Sequence, residues 1–434
     1  MLNNYIDANK NALTGVALMK KSEIENVVNA YMSRTEVQQR LQELEKNYQR
    51  AVAQCGDPEF LPYTKGGMTG VIGIIKCGEG PTVAIIGEMD ALKCSGHPNA
   101  DGEAVAHACG HNAQIAAMLG AAISLKKVAT ELCGSIVFFA VPAEEFIEIE
   151  NRAQLKSQGK IEYFGGKQQL IAEGAFDDVD IAIMIHAQPN EKEPKVFVRG
   201  YNLGFKVKKI TFKGKAAHGS KPHEGTNALN AAALSILGIH SNRETFKDEE
   251  RIRIHPIITK GGDVVNSVPD EVCIETYVRG ANLEAINKGD AAVNRSIDGA
   301  AQIIGATVQT DDMPGYLPIN ENTELSKVFE DIAVEILGED KVVYGEEITG
   351  STDMGDLSYI IPSIQPSIGG FEGNLHGKDF KVYSEDTAYI LSAKLLALTA
   401  ADLLYDDAKK AKNIIKSFET NFTKNDYLKY IQGE

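Results

Sequence analysis

Ser135-Ile-Val-Phe-Phe-Ala-Val-Pro-Ala-Glu-Glu145 is the stretch that decides the fold. Its first part has no polar face, so it reads as a strand buried on both sides, as in the middle of a parallel or mixed sheet. Pro142 ends the run, and the pair Glu144-Glu145 therefore stands at a strand end. Working outward, Gly70-Val-Ile-Gly-Ile-Ile-Lys76 and Thr82-Val-Ala-Ile-Ile-Gly87 read as strands, as does Val179-Asp-Ile-Ala-Ile-Met-Ile-His186. An Ala-rich helix is expected from near His111 to about Lys127, and an amphipathic helical start over residues 22–54. Strands alternating with helices give an α/β layer fold, with chemistry expected at the strand ends.

From about Gly204 the pattern changes. Phe205-Lys-Val-Lys-Lys-Ile-Thr-Phe212 alternates like a half-exposed strand, and Asn227 to His240 is an Ala/Leu helix. Residues 251–258 and 271–278 are strands, 282–304 is a helix and 306–310 a last strand. That βαββαβ order is the split βαβ motif of a ferredoxin-like domain. The candidate ligands continue beyond it, so the expected organisation is a discontinuous catalytic domain, residues 1–203 and 312–434, with residues 204–311 inserted. At 434 residues two domains are also the prior from length alone. The tail after Tyr405 reads as Lys-rich structural helix.

The formal charge of −16 argues against nucleic acid or an anionic membrane as partner. No apolar stretch approaches the roughly 20 residues needed to span a bilayer. Six scattered cysteines form no disulfide framework, and Met1-Leu-Asn-Asn-Tyr-Ile-Asp7 lacks the basic and apolar regions of a signal peptide. The expectation is a soluble, cytoplasmic protein.

The chemistry is concentrated in His107-Ala-Cys-Gly-His-Asn112, followed by Glu144-Glu145, His186 and His376. Taken singly, each has an ordinary reading: Cys109 as a small buried hydrophobe, His111 as a helix cap, His186 as a core histidine. Together a thiolate, imidazoles and a carboxylate are the donor set of a zinc-like ion. One glutamate beyond the ligand count suggests a general base acting on a metal-activated water.

The ordered set resembles the aminoacylase/carboxypeptidase-type metallopeptidase family, in particular its amidohydrolase branch of aminobenzoyl-glutamate hydrolases, indole-acetyl-amino-acid hydrolases and related dipeptidases. The matching segments are Gly87-Glu-Met-Asp-Ala-Leu92, His107–Asn112, Pro142-Ala-Glu-Glu145, Ile185-His186, Gly214-Lys-Ala-Ala-His218, Gly225-Thr-Asn-Ala228, Asn266-Ser-Val-Pro-Asp270 and Gly350-Ser-Thr-Asp353. The resemblance implies a mixed-sheet catalytic domain holding two divalent ions per chain, zinc favoured and manganese the alternative. Cys109 would bridge the ions, with Glu145 and His376 completing one and His111 and His186 the other. Glu144 would be the base, and Asp90 would hold a ligand imidazole by its other N–H. The inserted domain would pair two subunits, with His218 stabilising the partner site's oxyanion, and Asn266 and Arg279 would hold the substrate carboxylate. The implied substrate is a small N-acyl amino acid or a dipeptide.

Three features depart from the branch. Asn112 stands where many members have Asp, the segment Lys93–Gly102 lacks the usual proline directly after Asp90-Ala-Leu92, and Phe146 to Lys167 is an enlarged segment beside the base. Other readings are a true dipeptidase, a metal-binding regulator or scaffold that lost catalysis, and a cysteine hydrolase using Cys109 with His107 or His111. A thiolate shared by two cations is a poor nucleophile, which opposes the last.

Overall fold

The computed structural model describes residues 71–434 except 101–103, 147–148, 346, 349, 421 and 434. The helix expected over 22–54 lies outside the described residues. Tertiary contacts group the chain into two compact units. One takes residues up to Gly200 with Asn320–Glu347 and Asp356–Lys424; the other takes Tyr201–Ile319, Ile348–Gly355 and Asn425–Glu434.

The first unit is built on a mixed five-stranded sheet in the order Val71–Lys76, Ser135–Val141, Thr82–Glu88, Ile181–Ile183, Ser363–Ile364. The first strand runs antiparallel to Ser135–Val141 and the other neighbours are parallel. Ser135–Val141 is buried along nearly its whole length, as its missing polar face requires. Phe139 stacks on Phe176 with ring centroids 4.6 Å apart, a geometry that adds to the roughly 1.5–3 kcal/mol of burying a Phe side chain. The run expected as one strand to His186 is two short ones, Ile181–Ile183 and His186–Ala187, in different sheets. His186–Ala187 pairs with Ser367–Ile368, so the chain changes sheets just where the histidine is presented.

The helix His111–Leu125 packs its Ala-rich length against the sheet and is buried at all but a few positions. A second helix-forming stretch, Asp386–Leu404, is by length and composition apolar enough to cross a membrane, contrary to the sequence expectation that none came close. It is 78% buried inside the protein, the condition of a core helix. Among the described residues no two cysteines form a disulfide.

Phe146 to Lys167 is a closed excursion. It contains the helix Ile149–Ser157, and the rings of Phe146 and Phe164, near its two ends, lie 5.7 Å apart. The next helix, Gly166–Ala172, starts against the strand end the segment left: Gly166 N–H donates to Ala143 O at 2.9 Å. A Cβ at Gly166 would lie 1.7 Å from Pro142 O, so only glycine allows this approach.

The second unit has an antiparallel sheet in the order Arg253–Ile254, Glu271–Gly280, Gly204–Lys213, Thr307–Pro314, with Ile257–Lys260 also pairing with Glu271–Gly280. Helices Ala228–Ser241 and Leu283–Ile304 pack together and on this sheet. The strand expected over 251–258 is broken into two pieces at His255-Pro256, since proline cannot donate to the ladder. Asn227 and Asn282 cap the two helices by accepting backbone N–H groups.

Replacing Gly166 by Ala forces a backbone clash against the turn carrying Glu144. Urea denaturation should show a loss of about 1–3 kcal/mol; stability equal to the parent would mean that the turn moves freely.

Candidate metal centre

The donor-bearing residues gather where the parallel strands of the first unit end. Glu88 closes Thr82–Glu88, and Asp90 follows two residues later. Val141, directly beside Glu88 in register, ends the neighbouring strand, and Glu144 and Glu145 come next. Ala143 reaches a positive φ of 57° to turn the chain there. Cys109 and His111 flank Gly110, whose φ is 85° at the start of the helix; a Cβ there would also meet Ala187 Cβ at 2.8 Å. Glycine is thus needed twice over, for the turn and for the approach of the segment carrying His186. His376 has φ 63° and its N–H donates to Ala108 O at 2.8 Å, bringing the remote C-terminal loop to Cys109.

Two donor groups result. Cys109, His111 and His186 form one and Cys109, Glu145 and His376 the other, with the donor atoms of each group within 4.8 Å of one another. Cys109 is common to both. The spacings test the fit to an ion. Two donors at ordinary zinc distances and a tetrahedral angle stand about 3.3–3.6 Å apart. Cys109 Sγ and His186 Nε2 are 3.6 Å apart, and His376 Nε2 and Glu145 Oε1 are 3.1 Å apart. His111 Nε2 and Glu145 Oε1 are buried, each at ion-pair distance from another group of the cluster, Glu88 Oε2 at 3.2 Å and His376 Nε2 at 3.1 Å. So many donor atoms converging in a buried cluster rich in carboxylates leave it in need of cations, which divalent ions would supply. The residues fit a pair of divalent ions.

Electrostatics agree. Burial pushes the Cys109 thiol far up, with Glu144 and Glu145 nearby adding to the rise. A thiol so placed needs cations to become a thiolate, which opposes the cysteine-hydrolase reading. Burial also opposes charge on His111, but Glu88 and Asp90 outweigh it and hold the imidazole well above its usual range. For Asp90 burial works upward, and is overcome by His111 and by the Glu145 amide, leaving the carboxyl well below the usual range. Burial lowers His186. Hydrogen bonding to Glu145 raises His376.

Asp90 grips two neighbours. Its Oδ2 accepts the Glu145 N–H at 2.9 Å, and its Oδ1 lies 3.2 Å from His111 Nδ1, which also meets Asp90 O at 3.0 Å. His111 therefore has Nε2 as its outward nitrogen. Glu144 is buried next to Glu145, with Oε2 4.0 Å from His111 Nε2.

The sequence reasoning gave no role to Glu88, Gln114 or Lys167, although all three adjoin the site. Glu88 lies inside the quoted Gly87–Leu92 segment, and Gln114 sits one turn along the helix from His111. Nothing in the sequence pairs Lys167 with position 88.

His218, Asn266 and Arg279 belong to the second unit. His218 Nδ1 accepts the Ser220 N–H at 3.1 Å, which leaves the proton on Nε2. Gly219 N–H donates to Asn266 O at 2.7 Å, so His218 and Asn266 lie on adjoining backbone. The Arg279 guanidinium lies 5.1 and 5.4 Å from the ring centroids of Phe205 and Tyr277, which stack on each other, and donates to Ser351 Oγ at 2.8 Å. Burial holds its pKa below the usual range.

With the geometry in view, the comparisons with known proteins decide the family. The model of peptidase family M20/M25/M40 matches residues 84–402. The chain belongs to that family. It is 29% identical to the Xaa-Arg dipeptidase of Mus musculus over 348 residues, covering 75% of this chain and 71% of that protein. It is 26% identical to a p-aminobenzoyl-glutamate hydrolase chain of Escherichia coli strain K12, covering 83% of this chain and 81% of that one. Its fold matches the crystal structure of the Bacillus subtilis YXEP protein, a dinuclear metal-binding peptidase of the M20 family. The TM-score is 0.63 at 22% identity, over 83% of this chain and 92% of that one. The resemblance seen in the sequence is therefore correct, and this M20-family chain is a hydrolase acting on C–N bonds.

The Cys109 proton, and the proton the raised His111 carries near neutrality, must leave before these groups can bind a cation. Metal affinity should rise with pH from 6 to 8, with net proton release. Calorimetry in buffers of different ionisation enthalpy measures this; uptake of protons, or no exchange, would contradict the assigned donors.

Proposed function

We propose that this M20-family chain is a homodimeric two-metal amidohydrolase that cleaves the amide of N-acyl or N-aminoacyl amino acids. The carrying observation is the convergence of Cys109, His111, Glu145, His186 and His376, in two groups sharing Cys109, with Glu144 buried beside them. Thiolate and imidazole donors favour zinc, with manganese as the alternative. Two divalent ions held there would supply Lewis acidity, acidifying a shared water and polarising the amide carbonyl.

Glu144 takes the proton of the attacking water and passes it to the leaving amine. Asp90 fixes the His111 ring through Nδ1 and the Glu145 backbone through its N–H, so two donors are held by one carboxylate. Arg279, desolvated beside two stacked rings, offers a guanidinium suited to a substrate carboxylate, and Asn266 would assist it. The substrate class follows from the relatives, which are named for aminobenzoyl-glutamate and for Xaa-Arg dipeptides. Cysteines without disulfides among the described residues support a reducing, cytoplasmic setting.

The strand order and the two covering helices of the second unit support reading residues 204–311 as an inserted ferredoxin-like domain. In the resemblance this domain pairs two protomers and delivers His218 to the partner's oxyanion. The Nε2 proton of His218 supports a donor role.

Assayed after metal reconstitution against N-acyl amino acids and dipeptides, the parent should hydrolyse members of one class. Glu144→Gln should retain its metal and lose about 10²–10⁴-fold in kcat. Turnover like the parent's would remove Glu144 as the base.

Mixing His218→Ala with Glu144→Gln, each nearly inactive alone, should restore part of the activity, because a mixed dimer has one site with both groups intact. Exchange of protomers is verified by co-purification of differently tagged chains. Confirmed exchange with no recovery would place His218 outside the partner's chemistry.

A further inference from the structure

We propose that Glu88 is a sixth donor of the metal centre, directed at the ion held by His111, and that Lys167 is the cation that positions it. The inference rests on the two-metal reading above and adds a residue to it.

Glu88, His111 and Glu144 form a third convergent group, with donor atoms within 4.8 Å of one another. Glu88 is fully buried. Its Oε1 accepts Lys167 Nζ at 2.6 Å, and its Oε2 accepts Gln114 Nε2 at 2.9 Å, while its own N–H donates to Gln114 Oε1 at 3.0 Å. The carboxylate is thereby fixed from two sides. Oε2 still has a lone pair, since an ionised carboxylate oxygen can accept more than one bond.

That oxygen lies 3.2 Å from His111 Nε2, and His111 is only 1% exposed. The two buried atoms stand at ion-pair separation and, with a Glu144 oxygen, converge within 4.8 Å, so a cation placed there would be within reach of both. The separation equals, within a few tenths of an ångström, that of two donors sharing one ion.

Lys167 explains why a further anion is tolerated. The Cys109 thiolate and the carboxylates of Glu88, Asp90, Glu144 and Glu145 are all buried. Two divalent ions and the Lys167 ammonium balance those charges; without Lys167 the loaded site would carry an uncompensated negative charge in a low-dielectric interior. Lys167 is fully buried and has its Nζ on Glu88. The helix that bears it begins at Gly166, against the Pro142–Ala143 turn, so the enlarged segment 146–167 ends by delivering this cation. Lys167 is thus a positioning residue that occupies one Glu88 oxygen and leaves the other to face the His111 ion.

The test is stepwise Co²⁺ titration of the metal-free full-length chain, followed by calorimetry and visible absorption. Two variants are compared with the parent. Glu88→Asp keeps the charge opposite Lys167 but withdraws the carboxylate by one methylene. Glu88→Gln combined with Lys167→Met removes both charges, so that neither is left buried alone. The parent should bind two ions. Each variant with parental circular dichroism should bind one ion as the parent does and the other about 10–100-fold more weakly, with an altered absorption band for the weakened ion. A folded variant that binds both ions at parental affinity with the parental spectrum overturns the donor role and leaves a structural ion pair. A parent that binds fewer than two ions overturns the two-metal reading, and this inference with it.

Discussion

Four carboxylates, a thiol and three imidazoles are crowded, mostly buried, at one end of a sheet, and the rest of the first unit is arranged around that fact. Burial makes each charge costly unless it is paired. The protein supplies one cation of its own, Lys167, and partners such as the Glu145 amide for Asp90. The donor atoms of His111 and Glu145 converge with the others of the cluster. Divalent cations would answer this arrangement. The pKa shifts express the same constraint: the thiol is pushed up by burial, and His111 is drawn up by surrounding carboxylates despite it.

Such crowding demands exact backbone placement, and the fold achieves it with turns rather than with regular structure. The parallel strands end side by side, and the chain leaves each end through an unusual conformation. Gly110, Ala143 and His376 all have positive φ. Glycine adopts this freely, whereas Ala143 and His376 do so at a cost that the surrounding contacts must offset. Gly166 closes the set by letting a helix start against the Glu144 turn. The enlarged segment 146–167 is therefore tied to the site at both ends, one carrying the glutamate pair and the other Lys167.

The second unit follows different physics. Its sheet is antiparallel, with helices on it, and its interior holds an apolar cluster together with a buried Lys208 paired with Asp290 and Asp312. Its candidate polar groups are held individually: His218 by Ser220, and Arg279 by Ser351 and two aromatic rings.

The amino-acid sequence by itself determined the strand-rich α/β core, because an apolar run such as 135–141 has only one stable environment. It also put forward Cys109, His111, Glu145, His186 and His376 as candidate ligands and Glu144 as candidate base, because their residue types and order suit that chemistry. Asp90 was picked out only through the resemblance to a known family. The tertiary structure alone decided the partition of the 179–186 run between two sheets and the break at His255-Pro256, which depend on pairing partners far away in the chain. It alone showed the membrane-length stretch 386–404 to be a core helix, since burial is not a property of composition. And it alone brought Lys167 to Glu88, 79 residues apart. Sequence records which charges exist, but compensation between buried charges depends on distance, and distance is fixed only when the strand ends, turns and helix starts are packed together.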